Sequence, residues 1–296
     1  MDTAPRAQPF FLDTEGGQRF CLFHPPEGAC RGAVLYVHPF ADEMNKARRV
    51  AAVQARALAA LGYGVLQLDL HGCGDSAGEF YEARWAGWKA DLAAGSTWLA
   101  ERLGAPLTLW GLRLGALLAL DYARGAPSAP ISQLVLWQPV QSGSAFLTQF
   151  LRLLSANAML AEGTGSAANP AEQGKGTAAL RASLLGGTML EVAGYELAPE
   201  LAAAIDQVEL AALAPACPVH WFETVSAPER PLTPALERLA KGWREQGVAL
   251  ELHKVAGAPF WSTQEIAEAP ALLAATTAVF APQSTVHDHA LSRASA

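Results

Sequence analysis

The chain is predicted to be an α/β protein with one mostly parallel eight-stranded sheet, helices on both faces and an inserted cap. Three observations predict it. Short β-rich runs alternate with longer helical patterns along most of the length. The run at 33–38 (AVLYVH) is continuously apolar up to its closing His, as a parallel strand buried on both faces reads, and 65–70 reads as another buried strand. Between residues 141 and 215 the alternation is suspended for longer than an ordinary connection allows, which marks an insertion.

In order, residues 10–12 and 19–23 read as two strands joined by a Glu15-Gly16-Gly17 turn. After the strand at 33–38, Asn45 is placed to cap a helix that runs to Leu61 and closes at Gly62. The strand at 65–70 leads into a turn-rich HGCGDSAG at 71–78. A helix over 84–103 precedes a strand at 106–110, and a Gly-flanked turn precedes a helix at 113–124. Strands at 134–137, 219–223 and 249–254 follow, with a last helix over 263–280. Strands separated by helices imply right-handed βαβ units in one sheet. The expected organisation is a core of 1–140 and 216–282, a cap of 141–215 with a flexible stretch at 161–177, and a disordered tail at 283–296.

With 51% hydrophobic and 17% charged residues among 296, the composition excludes a disordered chain. A net charge of −7 without a basic block makes nucleic acid a poor partner. No window has about 18 uninterrupted apolar residues, so no membrane span is expected. The first nine residues lack the apolar run of a secretory signal, and a cytoplasmic location is expected. Cys21, Cys30, Cys73 and Cys217 show no zinc spacing and read as reduced thiols; no metal or cofactor is expected. His287-Asp288-His289 in the tail is only superficially a ligand pair.

Gly111-Leu112-Arg113-Leu114-Gly115 lies between a strand and a helix, which is where the G-x-S-x-G nucleophile elbow of α/β-hydrolases lies. His38-Pro39-Phe40 resembles that superfamily's first oxyanion-hole loop, and the turn from Asp69 to Ser76 resembles its D-x-R-G-x-G-x-S turn. The chemistry departs from the pattern. Arg113 stands where the nucleophile belongs, and a guanidinium cannot attack a carbonyl. The loop after the last strand, 255–261, carries no His for the base. Glu223 is the nearest carboxylate for the third role and Glu229 a more distant one.

More specifically, the chain resembles the exosortase A system-associated hydrolase 2 family. The resemblance rests on LYVHPFADEMNKARR (35–49), DLHGCGDSAGEF (69–80), LWGLRLGA (109–116), LVLWQPVQSG (134–143), LTQFLRL (147–153) and APFW (258–261). It implies an α/β-hydrolase fold, a link to exosortase and exopolysaccharide systems of Gram-negative bacteria, and an elbow whose Arg belongs to the family's own pattern. The name implies hydrolysis, yet no catalytic residue carries over.

Two readings of Arg113 follow. A cation at a helix N-terminus needs a compensating anion. Either Arg113 and the amides of Phe40 and Leu114 form a pocket for an anionic, acyl or lipid-linked ligand, or Arg113 bridges internally to Asp42, Glu43, Asp75 or Glu223. A protein partner is a further candidate. Trp261, with Trp137 and Phe260, is placed to line an apolar site. His38 reads as a loop-orienting residue, and His38 and Asp75 are expected beside the same pocket. Ser76 reads as a helix cap. Cys73 with His71 or His38, and His253 as a relocated base, are the catalytic candidates of an alternative ester or thioester hydrolase.

Overall fold

The computed structural model describes residues 6–125, 127–164, 176–265 and 267–282. Residues 165–175 of the stretch expected to be flexible, and the tail 283–296 with His287-Asp288-His289, lie outside them. The chain opens with a hairpin of β1 (Gln8–Thr14) and β2 (Gly17–His24), followed by β3 (Gly32–Val37), α1 (Asp42–Ala60) and β4 (Tyr63–Leu68). Next come α2 (Trp85–Leu103), β5 (Leu107–Leu112), α3 (Leu114–Arg124) and β6 (Ile131–Trp137). Between β6 and the next sheet strand lie α4 (Gly143–Thr164), α5 (Thr177–Leu185), a small hairpin of β7 (Leu190–Val192) and β8 (Tyr195–Leu197), and α6 (Pro199–Asp206). Then β9 (Val219–Val225), α7 (Pro234–Glu245), β10 (Leu250–Ala256) and α8 (Pro270–Phe280) complete the fold.

Eight strands form one sheet in the order β1-β2-β4-β3-β5-β6-β9-β10. The pairs β1–β2 and β2–β4 are antiparallel and the rest parallel. Successive side chains of a strand face opposite ways, and the core divides accordingly. Val34, Tyr36, Trp110 and Trp137 pack with α1 and α8, whereas Leu35, Leu109 and Trp221 pack with α2, α3 and α7. The buried apolar residues of α4, α5, the small hairpin and α6 join this second core.

Two helix starts differ from expectation. Helix α1 begins at Asp42, not after Asn45, and its N-cap position is Ala41. Asp42 and Glu43 occupy the first turn, where carboxylates suit the helix dipole. Asn45 Nδ2 donates instead to the Tyr195 hydroxyl at 3.2 Å, tying α1 to the small hairpin. Helix α8 begins at Pro270, not Thr263. Proline disfavours helical backbone in the residue before it, and Ala269 has φ −131° and ψ 56°. No helix among the described residues is long and apolar enough to cross a membrane.

Candidate functional site

Three strand ends converge at the C-terminal edge of the sheet, and each is followed by strained backbone. Ala41 beyond β3, Arg113 after β5 and Gln138 after β6 have φ of 51°, 56° and 43°. They are three of the four non-glycine residues with positive φ among the described residues. Such strain persists only where surrounding structure imposes it, and it concentrates at functional sites.

At the elbow, Arg113 donates its backbone N–H to Trp137 O at 2.9 Å, and its carbonyl accepts from Ala116 and Val140. Both flanking glycines are required by close approach. A Cβ on Gly111 would meet the backbone of Ala116, with Ala116 N at 2.7 Å, and one on Gly115 would run into the carbonyls of Val37 and His38.

The Arg113 side chain is 16% exposed and donates Nε–H to Glu43 Oε1 at 3.3 Å. Its guanidinium carbon lies 5.4 Å from the centre of the Trp261 ring. The contact to Glu43 is single rather than the bidentate fork that locks Arg to a carboxylate. No acceptor among the described residues engages Nη1 or Nη2. Glu43 Oε2 is buried without a partner among the described residues, and burial raises the Glu43 pKa against the pull of Arg113.

Of the other three carboxylates expected as partners, two are engaged elsewhere and Asp75 lies away from Arg113. Asp42 pairs with Lys46 at 2.7 Å. Asp75 is exposed in the 71–78 turn, where its backbone N–H reaches Asp69 Oδ2 at 3.2 Å, on the side of Arg48. Glu223, buried at the end of β9, accepts from Trp221 Nε1 and Gln138 Nε2, each at 2.7 Å, and burial raises its pKa. Gln138 Oε1 accepts in turn from Thr224 N–H, so its strained backbone locks Glu223 in place.

A pocket of about 180 Å³ lies over Arg113. Its polar wall is Asp42, Glu43, Lys46, Arg113, Gln149 and Ser262; its apolar wall is Phe40, Phe150 and Trp261. Phe146 and Leu153 of α4 extend that wall, and Leu153 is 50% exposed at its rim. Phe40 makes edge contacts with both Phe146 and Phe150. Of the residues expected to share the pocket, Arg113, Phe40 and Trp261 do so. His38 and Leu114 border instead a void of about 10 Å³ beneath Phe40, room for one water at most. Asp75 borders neither. Trp137 and Phe260 belong to the core against α8, where Trp137 Nε1 donates to Thr276 at 2.8 Å. Gln138, Lys46 and Leu153 went unmarked in the sequence; only the spacing of Phe146 and Phe150 along α4 hinted at this wall.

The remaining candidates are poorly placed for catalysis. Cys73 is buried, and burial raises its thiol pKa, which opposes the thiolate a nucleophile needs. Ser76 caps no helix: its Oγ accepts from Phe20 N–H at 2.9 Å and donates to Asp69 O at 2.5 Å, pinning the turn to β2. His253 sits on β10 with its ring stacked on Phe222 and does not line the pocket. His38 uses both ring nitrogens, with Nδ1–H donating to Pro39 O at 2.7 Å and Nε2 accepting from Leu70 N–H at 3.2 Å.

That bonding requires neutral imidazole, and burial lowers the His38 pKa below 6.5. A depressed folded-state pKa gives stability that is complete above the unfolded value and is lost as pH falls below it. Thermal melts of His38→Gln between pH 7.5 and 5 are therefore expected to fall less steeply than those of the wild type. An unchanged slope would leave His38 with no part in the acid response.

The family model described as serine aminopeptidase, S33, matches residues 28–169. No curated protein matches the sequence. Among solved structures, a soluble variant of monoglyceride lipase from Saccharomyces cerevisiae in complex with a substrate analog is similar at 16% identity and TM-score 0.63, covering 94% of this chain and 95% of that one. Est1E from Butyrivibrio proteoclasticus with bound ferulic acid is similar at 15% identity and TM-score 0.62, covering 92% and 96%. An alpha-beta serine hydrolase homologue from Coxiella burnetii is similar at 15% identity and TM-score 0.52, covering 92% and 95%. With its sheet order and its strained turn after β5, the chain has the α/β-hydrolase fold.

Proposed function

We propose that the protein is a non-catalytic member of this fold that binds an amphipathic anion at Arg113: a carboxylate or phosphate carried on an acyl or lipid-linked chain. The observation that carries the reading is the half-used guanidinium, bonded among the described residues through Nε alone, at the floor of a pocket with an aromatic wall. Two helix N-termini, those of α1 and α3, adjoin the same pocket and favour negative charge there. The anion takes Nη1 and Nη2, while its chain lies along Phe146, Phe150 and Leu153 toward solvent. In this reading residues 141–215 act as a cap, the elbow has lost its triad, and a protein partner would meet the loaded cap. In this reading the protein acts in the cytoplasm, in the exosortase and exopolysaccharide setting that the sequence resemblance implies.

Calorimetric titration with decanoate, decyl phosphate and decanol is the test. Both anions are expected to bind and decanol not, and Arg113→Ala is expected to weaken the anions by about 10-fold or more, the worth of a charge-assisted hydrogen bond. Equal binding of decanol, or binding indifferent to Arg113→Ala, overturns the reading. A second reading, ester or thioester hydrolysis, draws on the buried Glu223, whose raised pKa suits a base. Turnover of fluorogenic esters or thioesters that disappears in Glu223→Gln, His38→Ala or Cys73→Ala would replace the binding reading with that one.

A further inference from the structure

A second cluster of chemistry-bearing side chains lies at the far edge of the sheet, independent of the Arg113 pocket. Parallel pairing sets Glu251 of β10 opposite His220 of β9, and His253 opposite Phe222. Side chains two apart on a strand share a face, so His220, Glu251 and His253 project from the same side of the sheet. His220 Nδ1 lies 3.4 Å from His253 Nε2 and 3.4 Å from Glu251 Oε2; His253 Nε2 lies 3.8 Å from the same oxygen. The two imidazoles are half-buried and the carboxylate is exposed. Stacking on Phe222, with ring centres 4.5 Å apart, fixes the His253 ring.

We propose that His220, Glu251 and His253 bind a late first-row divalent metal ion, Zn²⁺ foremost. Tetrahedral Zn²⁺ holds its ligands at about 2.0–2.2 Å, which sets neighbouring donor atoms about 3.3–3.5 Å apart. Two of the three separations match that edge, and the third closes by a small rotation of an exposed glutamate. Two imidazole nitrogens and one carboxylate oxygen suit Zn²⁺, Ni²⁺ or Co²⁺, and disfavour Mg²⁺ and Ca²⁺, which take oxygen shells. Three protein ligands leave one position for water or a further donor. This proposal departs from the expectation of no metal site. His220 lies on β9, separated in sequence by α7 from the Glu251-x-His253 pair on β10, so the sequence spacing gives two of the donors but not the third. A bound ion would clip the edge strand β10 to β9, and β10 leads directly into the loop that carries Trp261.

The test uses the full-length chain without a histidine tag, stripped by chelator and titrated calorimetrically with Zn²⁺, Ni²⁺ and Mg²⁺. A parallel Co²⁺ titration is followed by visible absorption. One equivalent of Zn²⁺, Ni²⁺ or Co²⁺ is expected to bind and to raise the melting temperature, whereas Mg²⁺ is not. His220→Asn and His253→Asn are each expected to weaken Zn²⁺ by about 100-fold and Glu251→Gln by about 10-fold, the scale on which ligand-shell changes act. Metal-free melting temperatures establish that the variants fold, and the exposed Glu251→Gln keeps the test open if a histidine variant does not. A wild type that binds no Zn²⁺ overturns the proposal. So does Zn²⁺ binding that survives in all three variants, or that disappears only on replacing His287 and His289.

Discussion

Replacing Arg19 with methionine is expected to lower stability by about 3–5 kcal/mol, the cost of stranding one partner of a buried ion pair. Arg19 Nε donates to Asp91 Oδ1 at 2.7 Å, and the two side chains are 4% and 3% exposed. The other Asp91 oxygen accepts from His71 N–H at 2.8 Å, and Arg19 Nη1 donates to Gly16 O at 3.1 Å. One pair thus joins the first hairpin, α2 and the turn after β4. Methionine fills much the same space but leaves Asp91 with a single amide donor. The double variant Arg19→Met, Asp91→Asn removes the charge and keeps an acceptor for His71. It is expected to recover at least half of the loss. Burial already raises the Asp91 pKa above 3.8, and loss of Arg19 raises it further. An acid with a raised folded-state pKa favours folding below its unfolded value, and that advantage is lost as pH rises through the folded value. The Arg19→Met deficit should therefore shrink as pH falls toward 4. Urea melts with an unchanged slope would measure this; a deficit under about 1 kcal/mol, in the range of exposed pairs, would mean that water reaches the site.

How far such contacts could be read in advance depends on whether they are local. The strand series was legible because a strand buried on both faces has nowhere to place polar residues, and 33–37 carries no charged residue and only the Tyr36 hydroxyl as a polar group. The elbow was legible because Gly111 and Gly115 flank a residue between strand and helix, a local pattern with a steric cause. The Arg113 partner was narrowed to four carboxylates and no further, since the choice rests on where α1 begins. That start is set by the strained Ala41 and not by Asn45, whose amide serves Tyr195 far along the chain. The last helix was drawn too long because residues 263–269 carry few strong breakers before Pro270. Gln138 was invisible for a different reason: a glutamine after a strand has no signature until its backbone turns to positive φ and its amide meets Glu223. Likewise His220 is joined to Glu251 and His253 by strand register alone.

Gly115→Val is expected to abolish folding of the sheet-and-elbow unit, and Gly115→Ala to cost about 3 kcal/mol, at the upper end of ordinary overpacking. A Cβ at this position would overlap the carbonyl oxygens of Val37 and His38 and lie 2.9 Å from the His38 carbonyl carbon. All three are backbone atoms, so no side chain can swing aside to relieve the clash. Helix propensity alone predicts the opposite sign, since alanine is favoured over glycine inside a helix by about 1 kcal/mol. Gly242 within α7 provides the comparison, because no neighbouring atom lies within 4 Å of a Cβ placed there. Gly242→Ala is expected to raise stability by about 0.5–1 kcal/mol, and the contrast between two helical glycines isolates the steric term. Gly115→Ala also reaches the pocket. To admit the methyl group, α3 must move away from the end of β3. Arg113 precedes α3 and Glu43 belongs to the first turn beyond β3, so the 3.3 Å contact between them should lengthen. If the anion binds where Arg113 and Glu43 meet, Gly115→Ala weakens decyl phosphate binding even where the protein remains folded, while Gly242→Ala leaves it unchanged. Equal melting temperatures for Gly115→Ala and the wild type would show that β3 and α3 separate freely, and the elbow could not then hold Arg113 over Glu43.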